Sequence, residues 1–127
     1  MTRQAISTSG APAALAAYSQ AIRSGDMVFC AGQLGVDPST GELVEGGIEA
    51  QTERALKNLT AVLDAAGLSF DDVVKTTCFL ADIADFDAFN GVYKTFVGDA
   101  PPARSTFAVK DLPRGARVEV EAIAARS

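Results

Sequence analysis

The stretch Pro101–Ala124, PPARSTFAVKDLPRGARVEVEAIA, contains two strand-like runs. Its second run alternates small apolar residues with mostly polar ones: Val118, Val120, Ala122 and Ala124 alternate with Glu119, Glu121 and Ile123. Such alternation sends successive side chains to opposite faces of a strand. Arg104 begins the first run, after a Pro-Pro pair. The stretch therefore predicts that an arginine and a glutamate can face a common space from two strands.

Outward from this stretch, the pattern predicts the order strand, strand, helix, strand, helix, strand, strand (ββαβαββ). The predicted elements are strands at Tyr18–Arg23, Met27–Gly32 and Val73–Leu80, helices at Ile48–Ala66 and about Asp85–Val97, and the two final strands. The helices are predicted from apolar residues that recur every three or four positions, and Gly67 is expected to end the first helix. Residues Met1–Ala17 are predicted to be an irregular arm.

The two predicted helices have one apolar stripe each, which is typical of a sheet covered on a single face. The sequence thus predicts an α+β fold, with residues 1–127 as one domain. No helix remains for the second face of the sheet. An apolar sheet face left in water would be an interaction surface, so we expect the chain to form a homo-oligomer.

The composition excludes several kinds of chemistry. The chain has 11 basic and 16 acidic residues, with a net charge of -5, so nucleic acid is not an expected partner. It contains no histidine, and a Ser-His or Cys-His nucleophilic pair therefore cannot form. The commonest zinc ligand is also missing. Acid-base chemistry would have to use a carboxylate, lysine, tyrosine, the backbone or water.

Cys30 and Cys78 each lie in an apolar run, which predicts buried free thiols rather than a disulfide. No run approaches the ~20 apolar residues of a membrane span, and no clean apolar leader segment is present. We therefore expect a cytoplasmic protein that does not bind a membrane.

The polar candidates each have a structural and a functional interpretation. Arg104 could be a solvated strand-edge charge, or a clamp whose planar guanidinium matches the two oxygens of a carboxylate. Glu119 and Glu121 could be solvated, or either could hold a water for attack on an electrophilic carbon. Spacing does not choose between the two glutamates. The structural interpretation is aromatic packing for Tyr18 and Tyr93, a polar bond to neighbouring backbone for Asn90, and a strand-end charge for Lys75.

Several segments, in order and spacing, resemble the YjgF/RidA family over nearly the whole chain. They are Tyr18, AGQLGVDPSTGEL (31–43), AAGLSFDDVVKTTCFLADIADF (65–86), the pair Asn90 and Tyr93, PARS (102–105) and VEVEAIA (118–124). The resemblance implies a chorismate mutase-like fold and a homotrimer with a central barrel. It also implies three clefts between neighbouring subunits.

The resemblance further implies hydrolytic deamination of reactive 2-imino acids (2-iminobutanoate and 2-iminopropanoate) to 2-keto acids and ammonia, without metal or cofactor. Arg104 would bind the substrate carboxylate and Glu121 would orient the hydrolytic water. Five other positions would contribute to substrate binding, and they are Tyr18, Ala31, Gly32, Asn90 and Thr106. The alternative is a non-catalytic module of the same fold that binds a small carboxylate or has a regulatory role.

The chain departs from the pattern of the family in three places, one of them a pair of residues. Ala16 and Ala17 stand where Gly-Pro is typical, and Ala31 stands where Ser or Thr precedes the glycine of the GQ motif. Thr106 occupies a position that is often Cys. The departures bear on the range of substrates more than on the class of reaction.

Overall fold

The computed structural model describes residues 2–126, which form one mixed sheet and two α-helices. The strands are β1 (Arg3–Ile6), β2 (Ala21–Ser24), β3 (Met27–Leu34), β4 (Val73–Leu80), β5 (Ala103–Ala108) and β6 (Val118–Ala125), and the helices are α1 (Gly47–Ala65) and α2 (Phe86–Tyr93). The α+β class and the two helices predicted from the sequence are confirmed.

The sheet has the strand order β1-β2-β3-β6-β4-β5. Four of its five pairings are antiparallel, and β4 and β5 are parallel. A parallel pair needs a crossover, and here the crossover contains α2. Strand β5, which carries Arg104, is last in the strand order, and among the described residues it pairs only with β4.

Helix α1 buries its apolar stripe and ends where the sequence predicts. Gly67 has φ +76°, a conformation that favours glycine, and its N–H donates to the Asp64 carbonyl at 2.9 Å. The N–H of Leu68 donates to the carbonyl of Leu63, also at 2.9 Å. These two bonds make a Schellman motif, which satisfies carbonyls that the helix end leaves free. None of the helices within residues 2–126 is both long and apolar enough to span a membrane.

Both helices pack on the same face of the sheet. On β6 the residues Val118, Val120, Ala122 and Ala124 are buried in the core, whereas Glu119, Glu121 and Ile123 lie on the other face. That second face also carries Phe29 on β3 and Phe107 on β5, which are 44% and 45% exposed. The predicted sheet with helices on a single face is therefore confirmed, and its second face carries large apolar side chains in contact with solvent.

The N-terminal arm is less irregular than predicted. Arg3–Ile6 pairs antiparallel with β2, so the structure has one strand more than the predicted order. This strand has four residues, of which only Ile6 is buried, and it is too short to show a period. The prediction for Met1 falls outside the described residues. The next strand begins at Ala21, and Tyr18 lies in the loop before it.

Two further boundaries differ from the prediction. Strand β3 continues to Leu34 because it bulges at Ala31 and Gly32 and then pairs again with β6. Helix α2 ends at Tyr93 rather than Val97, since the next residues form tighter turns in which the Phe96 N–H donates to the Tyr93 carbonyl at 3.0 Å. The apolar stripe continues through these turns, which explains why periodicity extended the helix.

Candidate functional site

Arg104 projects toward α2. It pairs in register with Thr76 on β4, and Thr76 is fully buried on the helix-covered face of the sheet. An Nη of Arg104 donates a hydrogen bond of 2.7 Å to Asn90 Oδ1, on α2. The predicted pair of Arg104 and Asn90 therefore meets directly at the edge of the sheet.

Three aromatic rings of α2 lie beside the Arg104 guanidinium. Its central carbon lies 4.7 Å from the ring centroid of Tyr93, 5.4 Å from that of Phe86 and 5.9 Å from that of Phe89. Ring faces attract a cation but offer no oxygen acceptor. Within residues 2–126 no carboxylate forms a salt bridge with Arg104. The guanidinium is thus held on one side by α2 and has no acidic partner among the described residues.

Thr106 lies two residues beyond Arg104 on β5, on the same face. Its Oγ1 is buried and has no hydrogen-bond partner among the described residues. The neighbour of Thr106 on β4 is Cys78, and burial raises the pKa of this thiol to about 11. Cys78 and Cys30 are both free and buried, which confirms the sequence prediction. A thiol with so high a pKa stays protonated at neutral pH and is a poor nucleophile.

Glu121 lies on the opposite face of the sheet. Glu121 pairs in register with Thr77 of β4, whereas Arg104 pairs with Thr76. Successive residues of a strand point to opposite faces, so Glu121 and Arg104 do as well. Glu121 is exposed and lines a small pocket of about 180 Å³. The other residues of this pocket are Phe29, Cys30, Lys75, Thr77, Ala122 and Ile123.

The bulge of β3 is opposite Glu121. The β3–β6 register runs from Cys30 with Ala122 to Gln33 with Val120, so Ala31 and Gly32 together face the single residue Glu121. A bulge of this kind re-aims side chains and is common next to active sites. Three of the predicted site residues, Glu121, Ala31 and Gly32, are therefore neighbours.

The carboxylate of Glu119 lies against this bulge. A Cβ built on Gly32 would lie 2.8 Å from Glu119 Cδ and 2.9 Å from its Cγ, so only glycine fits beside this side chain without a shift. Burial, and to a smaller extent the nearby charge of Glu121, raises the pKa of Glu119 above the usual glutamate value. Glu119 and Glu121 thus occupy different environments although they share a face.

Tyr18 lies apart from both groups. It is 53% exposed and lines a groove of about 470 Å³ formed with the N-terminal arm. The strand that follows it, β2, is separated from β5 by three strands, which corresponds to roughly 19 Å at the usual strand spacing. Tyr18 and Arg104 do not share a site within one chain.

The predicted residues therefore fall in three places. Arg104 lies with Asn90 and Thr106, Glu121 lies with the bulge, and Tyr18 lies in the groove. The prediction that an arginine and a glutamate face a common space from two strands is wrong for a single chain. The reason is register: β4 stands between β5 and β6, and Arg104 and Glu121 pair with consecutive residues of it, Thr76 and Thr77.

The contact between Tyr93 and Arg104 was not predicted from the sequence. The aromatic residues of α2 recur at three and four positions, a spacing that predicted a core-facing stripe and did not indicate which other residue Tyr93 would contact. Phe89 and Tyr93 are indeed buried, but the edge of the stripe reaches the guanidinium. The available signal was the resemblance, which implied one substrate site for Arg104 and Asn90, since Asn90 lies one turn before Tyr93 on the same helix.

Comparison with known proteins gives the chain close relatives. A sequence profile for the family described as Endoribonuclease L-PSP matches residues 8–126. The 2-iminobutanoate/2-iminopropanoate deaminase of Rattus norvegicus is 52% identical over 122 residues, which cover 96% of this chain and 89% of that protein.

Two solved structures have nearly the same backbone conformation as this chain. A putative endoribonuclease from Thermotoga maritima superposes with a TM-score of 0.95 at 48% identity, covering 98% of each chain. RidA from an Antarctic Psychrobacter superposes with a TM-score of 0.93 at 44% identity, covering 97% of this chain and 99% of the other.

Proposed function

Because the chain belongs to the Endoribonuclease L-PSP family, which contains the YjgF/RidA proteins, we propose that it is a 2-iminobutanoate/2-iminopropanoate deaminase. It hydrolyses reactive 2-imino acids to 2-keto acids and ammonia and uses neither metal nor cofactor. The similarity to the rat deaminase supports the activity over almost the full length of both chains.

The environment of Arg104 is the observation that carries this proposal. Its guanidinium has an amide on one Nη and aromatic rings beside it, and no carboxylate of residues 2–126 neutralises it. A planar cation of this kind matches the two oxygens of a carboxylate. Every 2-imino acid carries a carboxylate next to the reacting carbon, so binding there fixes the position of that carbon.

The reaction needs only a placed water and a base. Glu121 transfers one proton of the water to the imine nitrogen as the water oxygen bonds to the imine carbon, which gives a carbinolamine. It then transfers the proton of the new hydroxyl to the same nitrogen as the carbon–nitrogen bond breaks and the carbonyl forms. The products are a keto acid and ammonia. The imine is already electrophilic, so orientation supplies much of the acceleration. Thr106, Ala31, Gly32 and Tyr18 complete the substrate site in this proposal.

The site is formed between subunits in our proposal. Arg104 and Glu121 lie on opposite faces of one sheet, so a second subunit has to supply one of them. We propose the homotrimer with a central barrel that the chorismate mutase-like fold implies, and the exposed Phe29 and Phe107 of the uncovered face support it. Light scattering should show a trimer, and a monomer at all concentrations would contradict this assembly.

Mixed trimers test the shared site. Arg104→Ala and Glu121→Gln subunits should each be inactive alone. If neighbouring subunits supply the two residues, random co-refolding in a cyclic trimer restores about a quarter of the sites. Recovery of activity supports a shared site, and no recovery from mixed trimers that have been shown to form contradicts it.

The coupled assay tests the activity itself. A pyridoxal-phosphate-dependent threonine dehydratase generates 2-iminobutanoate, and the wild-type chain should accelerate the release of ammonia. Arg104→Ala should abolish the acceleration while circular dichroism shows an intact fold. A wild-type chain that leaves the rate unchanged would refute the proposed function.

Two alternative functions predict different results in such experiments. A non-catalytic carboxylate-binding module would bind 2-oxobutanoate without accelerating hydrolysis, and Glu121→Gln would not alter its affinity. RNA cleavage is suggested by the description of the family, but the chain has a net charge of -5 and no histidine. Binding of the chain to immobilised RNA that weakens with added salt would support an RNA-directed function. We place the activity in the cytoplasm, which the two free cysteines support.

A further inference from the structure

Tyr93 connects the strand pair that carries Arg104 to helix α2. Its hydroxyl lies 2.7 Å from Thr76 Oγ1, and both residues are buried, with 3% and 0% exposure. Thr76 is the residue directly opposite Arg104 in the β4–β5 register. The hydrogen bond therefore fixes the Tyr93 ring relative to the backbone from which Arg104 projects.

The same ring is the aromatic group nearest to the guanidinium, at 4.7 Å. Phe89 packs against it with a centroid distance of 5.4 Å, so the ring is held from a second direction. Asn90, one turn before Tyr93 on α2, accepts a hydrogen bond from one Nη of Arg104. Ring and amide together restrict both the tilt and the rotation of the guanidinium plane.

We propose that Tyr93 is a positioning residue for Arg104: its ring, locked by the bond to Thr76, holds the guanidinium in the plane in which it receives a carboxylate. The proposal rests on the proposed function for the identity of the carboxylate. A long, free arginine side chain loses rotamer entropy when it binds, and a guanidinium that is already held loses less. Tyr93 thereby raises affinity without touching the substrate.

Three variants separate the parts of this device. Tyr93→Leu removes the ring. The double variant Tyr93→Phe with Thr76→Val keeps the ring and removes both partners of the buried hydrogen bond, and the polar group that loses a partner is the weakly donating thiol of Cys78, 4.0 Å from Thr76 Oγ1. Phe96→Leu is the matched control, because Phe96 pairs with Phe70 at 6.0 Å and has no cation–π contact with Arg104.

Calorimetric binding of 2-oxobutanoate, the unreactive keto acid product, measures the effect without turnover. We expect Tyr93→Leu to raise the Kd about five- to tenfold, about 1 to 1.4 kcal/mol, within the range of a cation–π contact. The double variant keeps the ring but releases it from Thr76, so it should raise the Kd by an intermediate amount, about two- to fourfold, whereas Phe96→Leu should change it less than about twofold. A folded Tyr93→Leu with the wild-type Kd, or an equal loss in Phe96→Leu, would overturn the proposal.

NMR of the wild-type protein tests the positioning even if Tyr93→Leu does not fold. The Arg104 side-chain signals should show a ring-current shift and slow rotation of the guanidinium, unlike those of the exposed Arg114. Signals of Arg104 that match those of Arg114 would overturn the proposal. A protein that binds 2-oxobutanoate in a Tyr93-dependent way but releases no ammonia from imines would refute the proposed function and leave the positioning intact.

Discussion

Arg104→Lys keeps the positive charge of the proposed carboxylate clamp and removes its planar fork. The lysine ammonium can make one strong bond to a carboxylate where the guanidinium makes two, and it cannot bind Asn90 in the same geometry. Loss of one charge-assisted hydrogen bond, worth about 1.5 to 3 kcal/mol, should lower kcat/KM roughly 10- to 150-fold.

The coupled dehydratase assay measures this loss as ammonia release over a range of imine concentrations. Arg114→Lys is the matched control. Arg114 is also an arginine but lies in an exposed loop, where it donates to the Gly41 carbonyl at 2.6 Å, a bond that lysine can replace. The control should keep the wild-type kcat/KM. If a folded and assembled Arg104→Lys does the same, the fork is not used for carboxylate binding and the assignment of Arg104 fails.

Three further predictions concern the other face of the sheet. Glu121→Gln should lower kcat about 100-fold or more and leave the Kd for 2-oxobutanoate nearly unchanged, and an unaltered kcat would remove Glu121 from the mechanism. Gly32→Ala should cost no more than about 1 kcal/mol in urea unfolding, because its Cβ would overlap only the flexible end of the Glu119 side chain, which can move aside, and adding Glu119→Ala should remove that loss. The pKa of Glu119 is higher in the folded state than in the unfolded state. Glu119 therefore contributes most to stability when the pH is below the ordinary glutamate pKa, and this contribution is lost as the pH rises through the folded-state pKa. The stability of Glu119→Gln relative to wild type should therefore increase from pH 4 to pH 7 in urea titrations, and a difference independent of pH would contradict this.

The local elements were predictable because their signals are short-range. Strand β4 has the predicted bounds of Val73–Leu80, and α1 ends beside Gly67 as its sequence indicates. The alternation of β6 correctly separated the glutamates from the core. The resemblance to the YjgF/RidA family is confirmed by the family match over residues 8–126.

The relation between strands could not be predicted in this way. A period of two says which residues of one strand share a face, but it does not give the phase of that strand relative to its neighbours. Arg104 and Glu121 each follow their own alternation, and only the pairing of both strands with β4 places them on opposite faces. The contact of Tyr93 with Arg104 depends on the same long-range pairing. The roles of the site residues stay predictions.

The alignment of β5 with its parallel neighbour β4 determines the face of the sheet toward which the Arg104 side chain points. A shift of one residue along this ladder would turn Arg104 and Thr106 away from α2 and bring Ser105 in their place. Two features hold the alignment: the Phe79 and Phe107 rings meet edge to face at 5.4 Å, and the Val109 N–H donates to the Leu80 carbonyl at 2.9 Å. Substitutions at Phe79 or Phe107 that shift this alignment would therefore abolish substrate binding although every residue proposed to bind substrate is still present.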